Sequence, residues 1–336
     1  MPRQAIVELV YEGVDISRDI APYFISLSYT DAGNCRADDL QISLADPDGR
    51  LRSSWMPKRG ERIRASITLK DWYFEGSERR LDCGIFDVDT VSYTGPDPDE
   101  ITIHAVSYPG KSALKNETRT RSWENVTLRQ IAKQIANAAG LRLLYEMAEV
   151  VYDRINQSEE TDLAFLSSQA EREGAALKVT NDMLVLFDEQ KYEKQPPVRE
   201  IVRGESDILS YSFDVQTVGV SYASCEIAYT DSKKKTIRGS FKVPGADGGP
   251  VLKLNERVAS VAEANRKARA ALRRANKDAQ RATLELMGDY MLVQGVTVEL
   301  SGFGAFDDVY FVETARHMID RSGYRTRIEL RKVLGY

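Results

Sequence analysis

Residues 61–70 read ERIRASITLK, and their apolar side chains fall at every second position. Successive side chains of a β-strand point to opposite faces, so this alternation predicts a strand with one buried face. Strand patterns also occur in residues 85–91 and 101–106, and the intervening GPDPD at 95–99 is typical of a turn. The first hundred residues therefore predict a β meander that forms part of a barrel or sandwich.

The middle of the chain has a different pattern. Thr127 is a good N-cap for an amphipathic helix that ends near Gly140, and a second short helix is predicted from Thr161 to Glu173. Residues 176–180 and 183–187 flank Asn181-Asp182, a pair suited to a tight turn, and predict a hairpin. Residues 118–200 therefore predict a small α+β domain followed by a linker that contains Pro196-Pro197.

Strand patterns return from Ile208, and one long helix interrupts them. The stretch from Val258 to Met287 contains neither Gly nor Pro. Small apolar residues recur there at spacings of three and four, which predicts a single helix over 256–287. These residues are Val261, Ala264, Ala268, Ala271, Ala275, Ala279 and Ala282.

The predicted fold class is mainly β with an α+β insertion. We expect two β-barrel-like domains, a small α+β domain between them and one long helix in the C-terminal part. The expected boundaries are 1–117 for the first barrel-like domain, 118–200 for the α+β domain with its linker, and 201–336 for the second. The opening and closing regions share the order of their strand patterns, which we interpret as a hypothesis of internal duplication.

Composition excludes several classes of function. The 336 residues carry a net charge of −5, which offers no overall attraction to nucleic acid. Cys35, Cys83 and Cys225 lie far apart, so they form neither a disulfide framework nor a CxxC motif. No stretch approaches the roughly 20 apolar residues of a membrane span, and the N-terminus shows no secretory signal. We expect a protein made in the cytoplasm that does not insert into a membrane.

Candidate catalytic groups are few. His104 and His317 lie far apart and within or just after strand patterns, which favours structural roles for both. A cell-wall hydrolase needs two carboxylates, one of them held protonated. Glu159, Glu160 and Asp162 are explained as acids at a helix start, and Asp87 with Asp89 as one face of a strand. We therefore predict no catalytic, cofactor-binding or metal-binding residues.

Two surface features keep other classes of function open. The predicted long helix is rich in basic residues, which favour a solvated face first, a protein interface second and nucleic acid third. They are Arg266, Lys267, Arg269, Arg273, Arg274, Lys277 and Arg281. Residues 72–74, Trp-Tyr-Phe, are candidates for an exposed aromatic patch. The alternatives that stay open are a cell-wall hydrolase and a carbohydrate-binding host-recognition module.

Residues 156–166 read NQSEETDLAFL and continue to Ala170-Glu171-Arg172-Glu173-Gly174. This stretch resembles the Q-x-x-E-T-D-x-x-F-L … E-x-G motif of phage late control protein D, a family of contractile-tail baseplate hubs. It is also similar to the hub portion of type VI secretion spike proteins. The closing run from Gly295 to Thr326 looks like the terminal barrel of the same family.

The resemblance implies a structural protein rather than an enzyme. Three subunits would form a homotrimeric ring of six barrels that joins a sixfold tail tube to a threefold central spike. Since the sequence ends at Tyr336 without a spike extension, we expect the spike to be a separate protein. The implied partners are that spike and the tail tube or baseplate proteins, and the implied location is the phage tail or a tail-like particle assembled in the cytoplasm.

Overall fold

A computed structural model describes residues 2–33, 36–107, 113–180, 182–205, 207–216, 221–230 and 235–336. The chain is mainly β, with 52% strand and 18% helix. Two barrel-like regions flank an α+β region, as the strand alternation and the helix signals predict. Most strands of the two barrel-like regions belong to one 13-stranded sheet.

The first barrel-like region is antiparallel, and its strands follow the order β3-β4-β7-β6-β5-β1-β2. Residues 61–70, whose alternation predicts a strand, contribute β5, and Ile63, Ala65, Ile67 and Leu69 are all buried in its core. The elements are β1 (Gln4–Tyr11), β2 (Val14–Asp15), helix α1 (Ser17–Ile20), β3 (Phe24–Ala32), β4 (Asp39–Ala45), β5 (Arg62–Lys70), β6 (Glu78–Thr94) and β7 (Glu100–Val106).

The α+β region buries its own apolar core between two helices and a three-stranded sheet. Thr127 caps the first predicted helix through a capping box with Gln130, and Thr161 caps the second by accepting a hydrogen bond from the Ala164 amide. The hairpin prediction is confirmed by the pairing of Thr180 with Met183, although Asn181 lies outside the described residues.

Two further strands that the sequence analysis did not predict form a two-stranded ribbon in this region. The elements of the region are α2 (Ala113–Asn116), β8 (Thr118–Thr127), α3 (Leu128–Ala138), β9 (Arg142–Glu146), β10 (Val151–Thr161), α4 (Asp162–Arg172), β11 (Ala175–Thr180), β12 (Met183–Asp188) and α5 (Glu189–Glu193). The ribbon consists of β8 and β10.

The second barrel-like region contains an additional layer. Its elements are β13 (Arg199–Val202), β14 (Ile208–Val215), β15 (Ser224–Thr230), β16 (Thr236–Lys242), β17 (Val251–Leu254), α6 (Val261–Asn276), β18 (Gln280–Met287), β19 (Thr297–Ser301), β20 (Asp308–Asp320) and β21 (Gly323–Lys332). The strands β15, β16 and β17 form a separate sheet that packs on α6 around its own apolar core.

The long helix is shorter than the predicted range of 256–287. It ends at Asn276, and residues 280–287 form β18 between β14 and β21. Ala282, Leu284 and Leu286 are buried there at alternate positions, which is the period of a strand. Ala282 fits both the helical spacing and the strand alternation. The helical prediction was therefore wrong for residues 280–287, because pairing with β14 and β21 decides their conformation.

Strand β20 joins the two barrel-like regions. It pairs with β21 on one side and with β3 on the other, from Thr314 opposite Ala32 to Ile319 opposite Leu27. Ile319 and Tyr324 consequently pack in the core of the first region. The two regions are therefore continuous through backbone hydrogen bonds and shared apolar contacts.

Candidate assembly site

The motif around residues 157–162 forms a buried polar cluster. Gln157 and Asp162 are almost fully buried, and the Gln157 side-chain amide donates to the Glu160 carbonyl and to Asp162 Oδ1, both at 2.9 Å. Arg121 on β8 donates from Nε and Nη2 to Gln157 Oε1 at 3.1 and 3.0 Å, and it also pairs with Asp162. The cluster therefore holds β8, β10 and the start of α4 together.

Three of the five acidic candidates, Asp87, Asp89 and Asp162, pair with basic side chains. Asp162 pairs with Arg121 and lies 3.8 Å from Arg119, whereas Glu159 is exposed. Asp87 pairs with Arg62 at 3.6 Å, and Asp89 pairs with Arg59 at 3.5 Å. General acid catalysis of glycoside hydrolysis requires a carboxyl group that an apolar pocket keeps protonated. Neither group contains such a carboxyl.

The two histidines occupy separate structural positions. His104 Nε2 lies 2.5 Å from Asp39 Oδ2 across β7 and β4. His317 is fully buried on β20 between the rings of Tyr29 and Tyr324, and its Nδ1 lies 2.7 Å from the Tyr324 hydroxyl. Burial disfavours the charged imidazolium and lowers the pKa of His317 to about 4.

The candidate aromatic patch at residues 72–74 is largely an internal contact. Trp72 is buried and donates from Nε1 to the Gly288 carbonyl at 2.7 Å, and the Tyr73 hydroxyl donates to Asp289 Oδ1 at 2.9 Å. Arg199 Nη1 pairs with the other oxygen of Asp289 at 2.6 Å. Tyr73 and Phe74 are 41% and 64% exposed, whereas the polar contacts of Trp72 and Tyr73 join the two barrel-like regions.

The basic residues near the long helix mostly contact the chain itself. Arg266 pairs with Glu173 at 2.7 Å, and Arg273 pairs with Glu193 at 2.6 Å, which fastens α6 to the α+β region. Lys267 pairs with Glu263 at 3.0 Å and with Glu256 at 3.1 Å. Most of this basic face therefore contacts acidic side chains of the same chain, a role that the sequence analysis did not predict.

A buried ionic group joins three parts of the molecule. Lys178 on β11 pairs with Asp31 on β3 and lies 3.3 Å from Asp38. Asp31 also accepts a hydrogen bond from the backbone N–H of Gln294 at 2.8 Å. Burial, partly offset by Lys178 and reinforced by Asp31, raises the pKa of Asp38 to about 6. Sequence analysis missed this junction, because a buried lysine has no local signature.

Among the described residues, two strand edges of the large sheet lie on different barrel-like regions. Strand β14 is the last strand of the large sheet and pairs with β18 alone among the described residues. Its Leu209, Tyr211 and Val215 are 56%, 44% and 59% exposed. In β6, residues 90–94 pair only with β7 within the described part of the chain. Unpaired edges of this kind bind other strands readily.

Metal sites, cysteines and membrane-spanning helices are the remaining candidate features. Within the described ranges, no group of three His, Cys, Asp or Glu residues is arranged to hold a metal ion. Cys83 and Cys225 are buried free thiols, and Cys35 lies outside the described residues. None of the described helices is long and apolar enough to cross a membrane.

Comparisons with known proteins identify the family that this sequence matches. Residues 39–323 match the family model described as phage tail baseplate hub (GPD). The probable baseplate hub protein of Escherichia phage 186 is 32% identical over 181 residues, which are 53% of this chain and 44% of that protein. The aligned segment thus spans less than half of that relative's length.

Two solved structures have the same fold over nearly the whole chain. A tail protein from Neisseria meningitidis MC58 superposes with a TM-score of 0.72 at 15% identity, covering 98% of this chain and 96% of that one. A component of the type VI secretion system of E. coli superposes with a TM-score of 0.57 at 11% identity, covering 97% and 76%.

Proposed function

Because the chain belongs to the phage tail baseplate hub family, we propose that it forms a trimeric ring joining a sixfold tail tube to a threefold central spike. The observation that carries this proposal is the presence of two barrel-like regions in one continuous sheet. Three such chains present six barrel-like units, and the ring still has threefold symmetry. One face can then match a sixfold partner and the other a threefold partner.

The open strand edges support a ring built from head-to-tail contacts. Such a ring needs two different surfaces on each subunit, one for each neighbour. The edge of β14 and the free edge of β6 at residues 90–94 lie on different barrel-like regions and are unlike in sequence. Pairing between them in adjacent subunits would bury Leu209 and Tyr211 and satisfy exposed backbone groups.

The domain division 1–117, 118–200 and 201–336 is part of the proposal. Three apolar cores, each formed mostly by residues of one range, support it, and Ile319 and Tyr324 of the third range also pack in the first core. The role is structural rather than enzymatic, since the candidate acids and histidines serve ion pairs and packing. The proposed partners are a spike protein and the tail tube or baseplate proteins, with assembly in the bacterial cytoplasm before incorporation into the tail particle.

Light scattering of the purified protein tests the ring. We expect three times the chain mass, either for the protein alone at high concentration or after addition of the candidate spike protein. A monomer at every concentration, with and without the spike, would contradict the proposal. Release of soluble fragments from purified peptidoglycan would instead support the hydrolase alternative.

A further inference from the structure

A small polar cavity lies where α6 meets α5, the end of α4 and the last strand. Its volume is about 40 Å³, enough for a few water-sized particles and too small for a nucleotide or sugar. Four cationic side chains line it, namely Arg273, Arg274, Lys277 and Arg331, together with three acids, Glu171, Glu189 and Glu193.

Arg331 is the buried centre of this cavity. Its side chain is 1% exposed, and its Nη2 contacts Glu193 Oε1 at 2.7 Å and Glu189 Oε2 at 3.3 Å. Its Nε lies 3.2 Å from Glu313, and the guanidinium stacks on Phe311. Among the described residues, Arg331 Nε and Nη1 make no hydrogen bond of good geometry, and neither do Glu193 Oε1 and Glu313 Oε1; of these atoms, only Nη1 also has no ion-pair contact within 4.0 Å. A buried donor without an acceptor destabilises the folded chain. We therefore expect an acceptor from outside the chain to bind at Arg331 Nη1.

The distribution of charge indicates what that partner is. Glu193 is shared by Arg273 and Arg331, and Glu189 is held by Arg331. Arg274 and Lys277, in contrast, have no carboxylate within 4.0 Å in the part of the chain that the structure describes. Glu313 brings the acids around Arg331 and its neighbours to four, equal to the number of cations, and the free donors are those of Arg274, Lys277 and Arg331 Nη1.

We propose that this cavity binds a small monovalent anion, of the size of a halide or a single carboxylate group, on Arg331 Nη1 with Arg274 and Lys277. The anion accepts from the buried donor and pairs with the two cations that have no carboxylate partner. Because α6, α5 and β21 all contribute side chains, its binding fastens the α+β region to the second barrel-like region. This inference is independent of the proposed ring.

Crystals of the full chain soaked in sodium bromide test the site directly. We expect an anomalous bromide peak within hydrogen-bond distance of Arg331 Nη1. The peak should vanish in Lys277→Met crystals and remain in Arg238→Met crystals, because Arg238 is on an exposed strand away from the cavity. A cavity that holds only water, with no anomalous peak, would overturn the proposal.

Thermal unfolding gives a second readout that needs no crystal. Chloride is varied from 10 to 300 mM against gluconate at constant ionic strength, because gluconate is too large for the cavity. We expect the midpoint to rise by roughly 1–3 °C in the natural chain and in Arg238→Met, and not in Lys277→Met. A rise with formate in place of chloride would extend the site to small carboxylates, whereas equal midpoints in all salts would count against any anion.

Discussion

The Lys178 ammonium lies 3.3 Å from the Asp38 carboxylate, across the contact between the α+β region and the first barrel-like region. Asp31 binds the same ammonium, so one lysine serves two buried acids. Asp38 also accepts hydrogen bonds from the Ala32 amide at 3.0 Å and from the Thr180 hydroxyl at 2.9 Å. The position of the α+β region against the first barrel-like region therefore depends on Lys178, Asp31 and Asp38.

Replacing the lysine should destabilise the protein strongly. Lys178→Met leaves Asp31 and Asp38 buried without a cation, and we expect a loss of about 3–5 kcal/mol in the free energy of unfolding. Denaturant unfolding followed by circular dichroism measures it. Lys253→Met, on an exposed position of β17, is the control and should change stability by less than about 0.5 kcal/mol. Equal stability of the two variants would show that the junction is not energetically important.

Asp38 should make the protein less stable as pH rises. Its pKa is about 6 in the folded chain against an ordinary value of 3.8, so the folded state holds this proton more tightly. The contribution is fully present below pH 3.8 and is lost as pH rises through 6. We expect unfolding curves of the natural chain and Asp38→Asn, recorded from pH 4 to 7.5, to differ by a pH-dependent term on the order of 2 kcal/mol. A difference that does not vary with pH would refute the assignment.

His317, in contrast, should make the protein less stable as pH falls. Burial lowers its pKa from 6.5 to about 4, so the unfolded chain takes up this proton first. Its contribution to stability is fully present above pH 6.5 and is lost as pH falls through 4. In His317→Gln the loss of stability between pH 6.5 and 4 should be smaller than in the natural chain. His104→Gln, which alters the half-buried histidine beside Asp39, serves as the comparison in the same pH series.

The motif glutamine should be required for folding of the α+β region. In Gln157→Leu, Arg121 loses two hydrogen bonds and Asp162 loses one, and we expect a loss of about 2–3 kcal/mol. Ser158→Ala, at the exposed neighbouring position, should unfold like the natural chain. Hydrogen exchange should show the change first in α4 and the β8–β10 ribbon, and normal protection there would argue against this role.

A charge on the open strand edge should weaken assembly without unfolding the subunit. Leu209 is more than half exposed on β14, so Leu209→Lys removes no core packing, but a lysine on an edge opposes strand pairing. We expect at least about a tenfold weaker association by light scattering, with circular dichroism unchanged. Leu144→Lys, on the edge strand β9, is the matched control. If both variants assemble like the natural chain, the edge of β14 is not the contact.

Local patterns predicted most individual elements correctly. The alternation in residues 61–70 identified β5, and Thr127 and Thr161 identified two helix starts, because caps and strand alternation depend on near neighbours in the chain. The helical prediction failed at residues 280–287, where an alanine-rich stretch satisfies either period and the flanking strands select one. Residues 72–74 were predicted as a candidate exposed aromatic patch, but their role in joining the two barrel-like regions follows only from Gly288 and Asp289.

The sequence by itself determined the mainly β class, the α+β insertion and the motif that identifies the family, since each depends on residues within a few positions of one another. Tertiary structure alone decided which strands join the two barrel-like regions and which charges are buried together. Asp31 and Lys178 are 147 residues apart, and no periodicity relates them. Their pairing, like that of β3 with β20, exists only because the folded chain brings distant segments into contact, where burial makes a compensating charge or a paired strand necessary.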